Sequence, residues 1–283
     1  MKKIWKVLLV LVILISLGAV YVIHCQEHLI LTEYDINADI DQQTRIVQLT
    51  DLHNHEFGKE NSKLIKMVND QKPDLIVMTG DMNNEDDPNL EIVCHLIEEL
   101  TKTAPVYFSI GNHEKDWMFD GDLEQAVKDA GAVLVDNSYE DITINGTDFR
   151  IGGYYGYYGV PHMKKLNEEE TAAEMAFFKD FENTDRYKIL LSHIPTAFVD
   201  WKYMDQYPID LIFTGHYHGG QIRIPFVGGL VAPYVGWFPK NTKGAYTGQY
   251  GTCILSTGLG SEMKLPRINN DPEVILAVLR AQH

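Results

Sequence analysis

Cysteine is scarce: Cys25, Cys94 and Cys253 stand at irregular spacing in a chain of 283 residues. An odd count without a pattern excludes a disulfide framework and a zinc-finger array. Cys94 and Cys253, each set among apolar neighbours, read as small buried hydrophobes. Basic charge is also short, with 24 Lys and Arg against 40 Asp and Glu and a formal net charge of -16. Such an acidic surface repels polyanions, so no nucleic-acid partner is expected. No internal repeat, low-complexity tract or Pro- or Ser-rich linker interrupts the chain. That leaves one sizeable globular core, or two small ones.

Long apolar runs are absent with one exception. After Lys2, Lys3 and Lys6, residues 7–23 are almost unbroken Val, Leu and Ile. A run of about 17 falls slightly under the ~20 that span a bilayer, and Ile4 and Trp5 extend it at the interface. The lysines hold the N-terminal side in the cytoplasm, which places the rest of the chain outside. The alternative is a cleaved secretory signal followed by secretion. Ala19-Val20-Tyr21 and Ile23-His24-Cys25 are poor cleavage sites, and His24 before Cys25 spoils a lipoprotein site. Residues 1–28 are therefore read as a single-pass anchor, 29–43 as a lead-in and 44–283 as the folded domain.

From residue 44 onward, short apolar runs alternate with longer amphipathic ones. Buried strands are expected at 45–49, 74–78, 106–110, 188–191 and 209–213. Helices are expected at 62–70, 89–100, 123–130 and 167–181. Asn89 opens one and Gly131 closes another, and Asn167 with Glu170 forms a capping box. The run Glu168-Glu169-Glu170 suits the first turn of a helix. Further strands at 142–151 and 252–256, with a turn at Asn145-Gly146, call for a second sheet. The expected class is α/β, with two sheets packed between two helix layers.

The residues that end each buried strand carry the chemistry. Leu49 leads into Asp51-Leu52-His53, Met78 into Gly80-Asp81, and Ile110 into Gly111-Asn112-His113-Glu114. Leu191 leads into His193, and Phe213 into Gly215-His216-Tyr217-His218. Groups beyond the carboxyl ends of strands in α/β sheets converge on one crevice. A lone Asp after a strand is usually a helix cap, and a lone His is usually structural. Five endings in order change that balance, because clustered acids and imidazoles are costly unless paired or bound to metal. Carboxylate, imidazole and amide together suit first-row divalent ions.

These five blocks, in this order, resemble the calcineurin-like metallophosphoesterase superfamily, over the chain from about residue 44 to its end. Gly219-Gly220-Gln221-Ile222-Arg223 and the tail from Gly258-Leu259-Gly260 to Pro272-Glu273-Val274 are similar to its bacterial membrane-associated subgroup. The resemblance implies a four-layer αββα sandwich of two mixed sheets, and hydrolysis of a phosphoester at a dinuclear centre. Asp51, His53 and His218 would hold one divalent ion, and Asn112, His193 and His216 the other. Asp81 would bridge them. Manganese, zinc, iron and cobalt all tolerate such ligands. His113 would protonate the leaving group or stabilise charge on the phosphate, with a purely structural role as the alternative. Glu114 would orient His113 or cap the next helix. The subgroup implies an envelope- or lipid-linked phosphate as substrate.

Departures narrow the subclass. Asp81 is followed by Met82-Asn83-Asn84, not the Asp-Arg-Gly of protein Ser/Thr phosphatases, and Asn84 stands where purple acid phosphatases place a metal-binding tyrosine. Tyr217, between two expected ligands, either lines the pocket or packs. The aromatic segments 154–158 and 234–238 either form a lip for a lipid or glycan, or pack on their own rings. His55, His95 and His162 have no counterpart among the expected ligands. A non-catalytic scaffold would be expected to lose ligands or His113, and all are present. A nuclease of the same superfamily sits poorly with the acidic charge and the anchor.

Overall fold

The computed structural model describes residues 2–85, 89–114, 122–155, 168–261 and 265–281. Six strands form the first sheet: β1 (Ile30–Ala38), β2 (Thr44–Leu49), β3 (Leu75–Thr79), β4 (Val106–Ser109), β5 (Val133–Leu134) and β16 (Glu273–Ala281). Their order is β1-β16-β2-β3-β4-β5, with β16 antiparallel to β2 and every other pair parallel. The second sheet contains β6 (Ser138–Ile144), β7 (Thr147–Gly153), β8 (Tyr187–Leu191), β9 (Leu211–Thr214), β14 (Gly244–Thr247) and β15 (Thr252–Leu255). Its order is β14-β15-β9-β8-β7-β6, parallel through β15, β9, β8 and β7, with an antiparallel strand at each edge. Between β9 and β14 the chain forms two short hairpins, β10 (Arg223–Ile224) with β11 (Gly228–Gly229) and β12 (Val231–Ala232) with β13 (Gly236–Trp237).

Side chains alternate across a strand, so a strand covered on both faces reads as a continuous apolar run. In β16, Ile275, Ala277 and Leu279 face the second sheet, while Val274, Leu276 and Val278 face the helices. In β8 and β9, Ile189, Leu191, Leu211 and Phe213 enter the layer between the sheets. Leu190 and Ile212 turn the other way, onto Phe178 and Phe181. Helices α2 (Ser62–Asp70), α3 (Glu91–Thr101) and α4 (Asp122–Asp129) cover the first sheet through Leu64, Val68, Leu96, Leu100 and Val127. Helix α5 (Glu168–Phe181) covers the second. The result is the expected four-layer sandwich, and each fully buried Leu, Ile or Phe contributes about 1.5–3 kcal/mol toward holding it.

The lead-in segment is where the structure departs from the expected layout. Ile30–Ala38 pairs with the C-terminal strand over nine positions and closes the edge of the first sheet, so the folded unit takes in residues ahead of 44. Its exposure alternates strictly, the pattern of an edge strand with one wet face. The Asn145-Gly146 turn joins β6 to β7 as expected. Asn89 accepts the Glu91 N–H at the start of α3, and Gly131, at φ +99, comes just after α4. Asn167 lies outside the described residues, so its capping box does too, whereas the acidic run from Glu168 does open α5.

Ahead of the sandwich, α1 (Lys2–Glu27) is apolar on every side and exposed along most of its length. It is the one helix, among the described residues, long and apolar enough to cross a membrane. Its last turns dock on the domain. Cys25 is buried, the Tyr21 hydroxyl donates to Asn269 Oδ1, and Glu27 lies 3.2 Å from His55 Nε2.

Candidate metal centre

The carboxyl ends of β2, β3 and β4 in one sheet and of β8 and β9 in the other lie at the same edge of the sandwich. Hydrogen bonds within and between the sheets lock them there. Gln48 Nε2 donates to Thr79 Oγ1 at 2.8 Å and Thr214 O at 2.9 Å, and the His216 N–H reaches Asp51 Oδ1 at 3.0 Å. The chain must turn sharply as each strand ends. Asp51, His53, Asp81, His216 and His218 all take φ between 45 and 69. Five of the seven expected ligands thus sit in the left-handed region, at a cost of about 1–3 kcal/mol each. Such strain persists only where the surroundings over-determine it. Two glycines give the room: a Cβ on Gly111 would meet Asp81 Oδ1 at 2.2 Å, and one on Gly215 would meet Asp51 Oδ2 at 2.4 Å.

The side chains gather into groups whose donor atoms lie within 4.8 Å of one another. Asp51, His53 and His218 form one such group, and Asp81, His193 and His216 another. Asp81 Oδ2 sits between them, 2.8 Å from His193 Nε2, 4.0 Å from His53 Nε2 and 3.9 Å from His113 Nε2. All of these residues are buried. His53 Nε2, His216 Nε2, His218 Nδ1 and Asn112 Oδ1 are buried without a hydrogen-bond partner. A buried polar atom left so costs about 1–3 kcal/mol. The three imidazole nitrogens, on residues clustered with two carboxylates, fit divalent metal, which would satisfy them.

Proton positions sort the histidines by role. His193 Nδ1 donates to Thr79 O at 2.8 Å, and His53 Nδ1 donates to Asn84 Oδ1 at 2.9 Å. That leaves the His53 Nε2 lone pair for a metal, while His193 Nε2 faces Asp81 Oδ2 at 2.8 Å and would give up its proton to bind one. His113 is wired the other way: its Nδ1 accepts the Glu85 N–H at 3.0 Å, so the proton resides on Nε2, toward Asp81. A ring that presents N–H to the cluster is a donor there, not a ligand. Burial pushes the His53 pKa down to about 4, and those of His216 and His218 well below the usual value. All three are neutral and ready to bind. Burial opposes the charge on His193 too, but Asp81 outweighs it and lifts the pKa to about 9. Burial likewise opposes the charge on Asp81, yet His193, His53 and His113 hold its carboxyl well below the usual range.

Several supports carried little sequence signal. Glu114 serves the backbone: its carboxylate accepts the N–H groups of Asp81, Met82 and Gly111 at 2.7, 2.6 and 2.8 Å, and so fixes the Asp81 turn, while residues 115–121, where the helix it was expected to cap would run, lie outside the described residues. Asn84 holds His53 from behind, donating to its carbonyl at 3.2 Å as well as accepting from its ring. Asn270 Nδ2 reaches His218 O at 2.7 Å. Residues 257–260 press on Asp51: the Gly260 N–H donates to Asp51 O, and a Cβ on Gly258 would lie 2.7 Å from Asp51 Cβ. Arg267, 1% exposed, pins that loop by donating to Thr257 O at 2.8 Å and Gly260 O at 2.6 Å. Burial depresses its pKa to about 10, which leaves it charged. Arg267→Met is expected to weaken metal binding by about 10–100-fold, as loss of a group that orients a ligand does. Isothermal titration with manganese checks this, and unchanged affinity would confine Arg267 to stability.

The remaining residues fall outside the cluster. Tyr217 packs, fully buried, with its hydroxyl on Thr196 and Asp200. His55 stacks edge-on against Phe57 and pairs with Glu27, while His95 lies on α3. His162 and residues 156–158 lie outside the described residues. Tyr154 and Tyr155 are buried in the layers, Tyr154 against Phe178 at 4.8 Å. By contrast Tyr234 stacks on His216 at 5.0 Å and stays 40% exposed.

Paired sheets ending in this donor set define a metal-dependent phosphoester hydrolase. The calcineurin-like phosphoesterase family profile matches residues 44–220, and the chain belongs to that family. It is 28% identical to the metallophosphoesterase Cj0846 of Campylobacter jejuni over 67% of this chain and 47% of that one. It is 27% identical to the phosphodiesterase YaeI of Escherichia coli over 67% of this chain and 66% of that one. The chain thus spans about half the length of the first relative and about two thirds of the second. The sulfate thiohydrolase SoxB of Thermus thermophilus shares the fold, at a TM-score of 0.51 and 13% identity over 87% of this chain and 58% of that one.

Proposed function

We propose that the chain hydrolyses a phosphodiester on the outer side of the cytoplasmic membrane, at a centre of two divalent ions. Asp51, His53 and His218 would hold one ion, Asn112, His193 and His216 the other, and Asp81 would serve both. The observation that carries this reading is the set of three buried, unpartnered imidazole nitrogens, of His53, His216 and His218, on residues gathered around Asp51 and Asp81. Bound there, divalent ions would supply Lewis acidity toward phosphate oxygens and an activated water near neutral pH. The protein's own part is to hold the phosphate beside His113, whose Nε2–H faces the cluster and donates to the leaving oxygen. The name of the Escherichia coli relative favours a diester over a monoester. The docked end of α1, with Cys25 buried and Tyr21 bonded to Asn269, favours an uncleaved anchor. Lys2, Lys3 and Lys6 then set the cytoplasmic side.

The test uses the full chain in detergent, stripped with chelator and assayed on p-nitrophenyl phosphate and its bis-ester. Manganese is expected to restore cleavage, with the bis-ester preferred. A folded, metal-loaded protein that cleaves neither would overturn the catalytic reading in favour of a scaffold.

A further inference from the structure

Just past the last expected ligands, the β10–β11 and β12–β13 hairpins carry apolar side chains that no described residue covers. Phe226 at the first tip is fully exposed, Trp237 is 68% exposed and Phe238 59%, with Val227 and Val235 also open to solvent. Phe226, Tyr234 and Phe238 also take positive φ, which bulky residues rarely adopt. Large apolar side chains left open on successive hairpins mark a contact with protein or membrane.

Three further observations say what covers it. The first is height. Tyr21 stands six residues before the end of α1, about 9 Å along the axis, and bonds to Asn269, whose Nδ2 donates to Arg223 O at the hairpin base at 3.1 Å. Asn269 and the Phe226 tip line one hollow. Tyrosine near the end of a spanning helix sits at the headgroup level, and the hairpin tied to it sits there too. The second is charge. Residues 211–261 contain no Asp or Glu, in a chain that has 40, and their charged side chains are Arg223, Lys240 and Lys243. A stretch with that balance offers no repulsion to anionic headgroups. The third is direction. Glu27 pairs with His55, two residues from His53, and Asn270, next to Asn269, holds His218. The helix therefore leaves the domain at the metal end of the sandwich.

We infer that the two hairpins are a second membrane contact. Their tips enter the headgroup layer of the bilayer that α1 spans, and the metal centre opens onto that layer. A lipid-linked phosphate, the substrate class that the family resemblance implies, would then reach the centre from that layer. This rests on the anchored reading of α1.

The test reconstitutes the full chain, with Cys94→Ala as background, into phosphatidylcholine–phosphatidylglycerol vesicles. A nitroxide is placed at Phe226→Cys or Phe238→Cys, and for control at Asn145→Cys, in the turn at the opposite end of the strands. Oxygen is expected to reach the first two labels while a water-soluble nickel complex is excluded, with the reverse at 145. Chain that stays on carbonate-washed vesicles with all three labels open to nickel overturns the inference and leaves the anchor standing. Chain that washes off overturns the anchor itself. Labels shielded from both reagents, with doubled mass in detergent, assign the patch to a second copy and overturn the inference. In parallel, the pair Phe226→Asp and Trp237→Asp is expected to leave bis(p-nitrophenyl) phosphate cleavage unchanged. It should slow hydrolysis of a vesicle-borne phosphodiester lipid roughly tenfold or more, and an unchanged rate on the vesicles counts against the inference.

Discussion

Asp81→Asn is expected to lower turnover by roughly a thousandfold or more, about 4 kcal/mol of barrier, while the fold survives. Asp81 is 1% exposed, and its two oxygens do different work. Oδ1 accepts the His113 N–H at 3.0 Å, a contact that Asn keeps. Oδ2 faces three imidazole nitrogens within 4.0 Å, and there Asn brings no charge. His193 loses the partner that holds its pKa near 9, and the two ligand groups lose the carboxylate between them. Circular dichroism and melting temperature should change little, and elemental analysis should show fewer ions per chain. Wild-type turnover in this variant would remove the bridging role.

The expected ligands stood out because they are punctuation. A strand buried on both faces reads as an apolar run, and the polar residue that ends it is conspicuous. Asp51, Asp81, Asn112, His193 and His216 each stand within three residues of such an end. The layers were legible for the same reason: both faces of β3, β8 and β9 are covered, so the whole run is apolar. Strand β1 was not, because an edge strand has only one buried face and its partner lies at the far end of the chain. Ile30-Leu31-Thr32-Glu33 looks like an ordinary linker until Glu273–Ala281 is placed beside it.

The supports of the site were illegible for a different reason. Glu114, Asn84, Asn270 and Arg267 act mostly on backbone atoms, and a backbone atom has no sequence signature. The buried charge of Arg267 in particular looks like any surface arginine, and only the fold reveals that it sits under the Asp51 turn. The two aromatic segments show the limit of composition as well. Tyr154 and Tyr155 are core, whereas Trp237 and Phe238 are exposed, although both stretches are rich in rings and glycine.

His113→Ala is expected to reduce kcat by about 10²–10⁴-fold, the usual contribution of a positioned acid, with bound metal unchanged. One hydrogen bond decides this. Because Nδ1 accepts the Glu85 N–H, the ring carries its proton on Nε2, and a ring so fixed is no lone-pair donor to a metal. The neighbouring His53 makes the contrast, since Asn84 takes its Nδ1 proton and frees Nε2. The size of the loss should depend on the leaving group. An alkoxide needs the proton, so a poor leaving group should lose the full factor, whereas p-nitrophenolate departs without help and should lose much less. An equal loss across leaving groups would make His113 a holder of the phosphate, not an acid. A matching loss of bound metal would make it a ligand, contrary to the geometry.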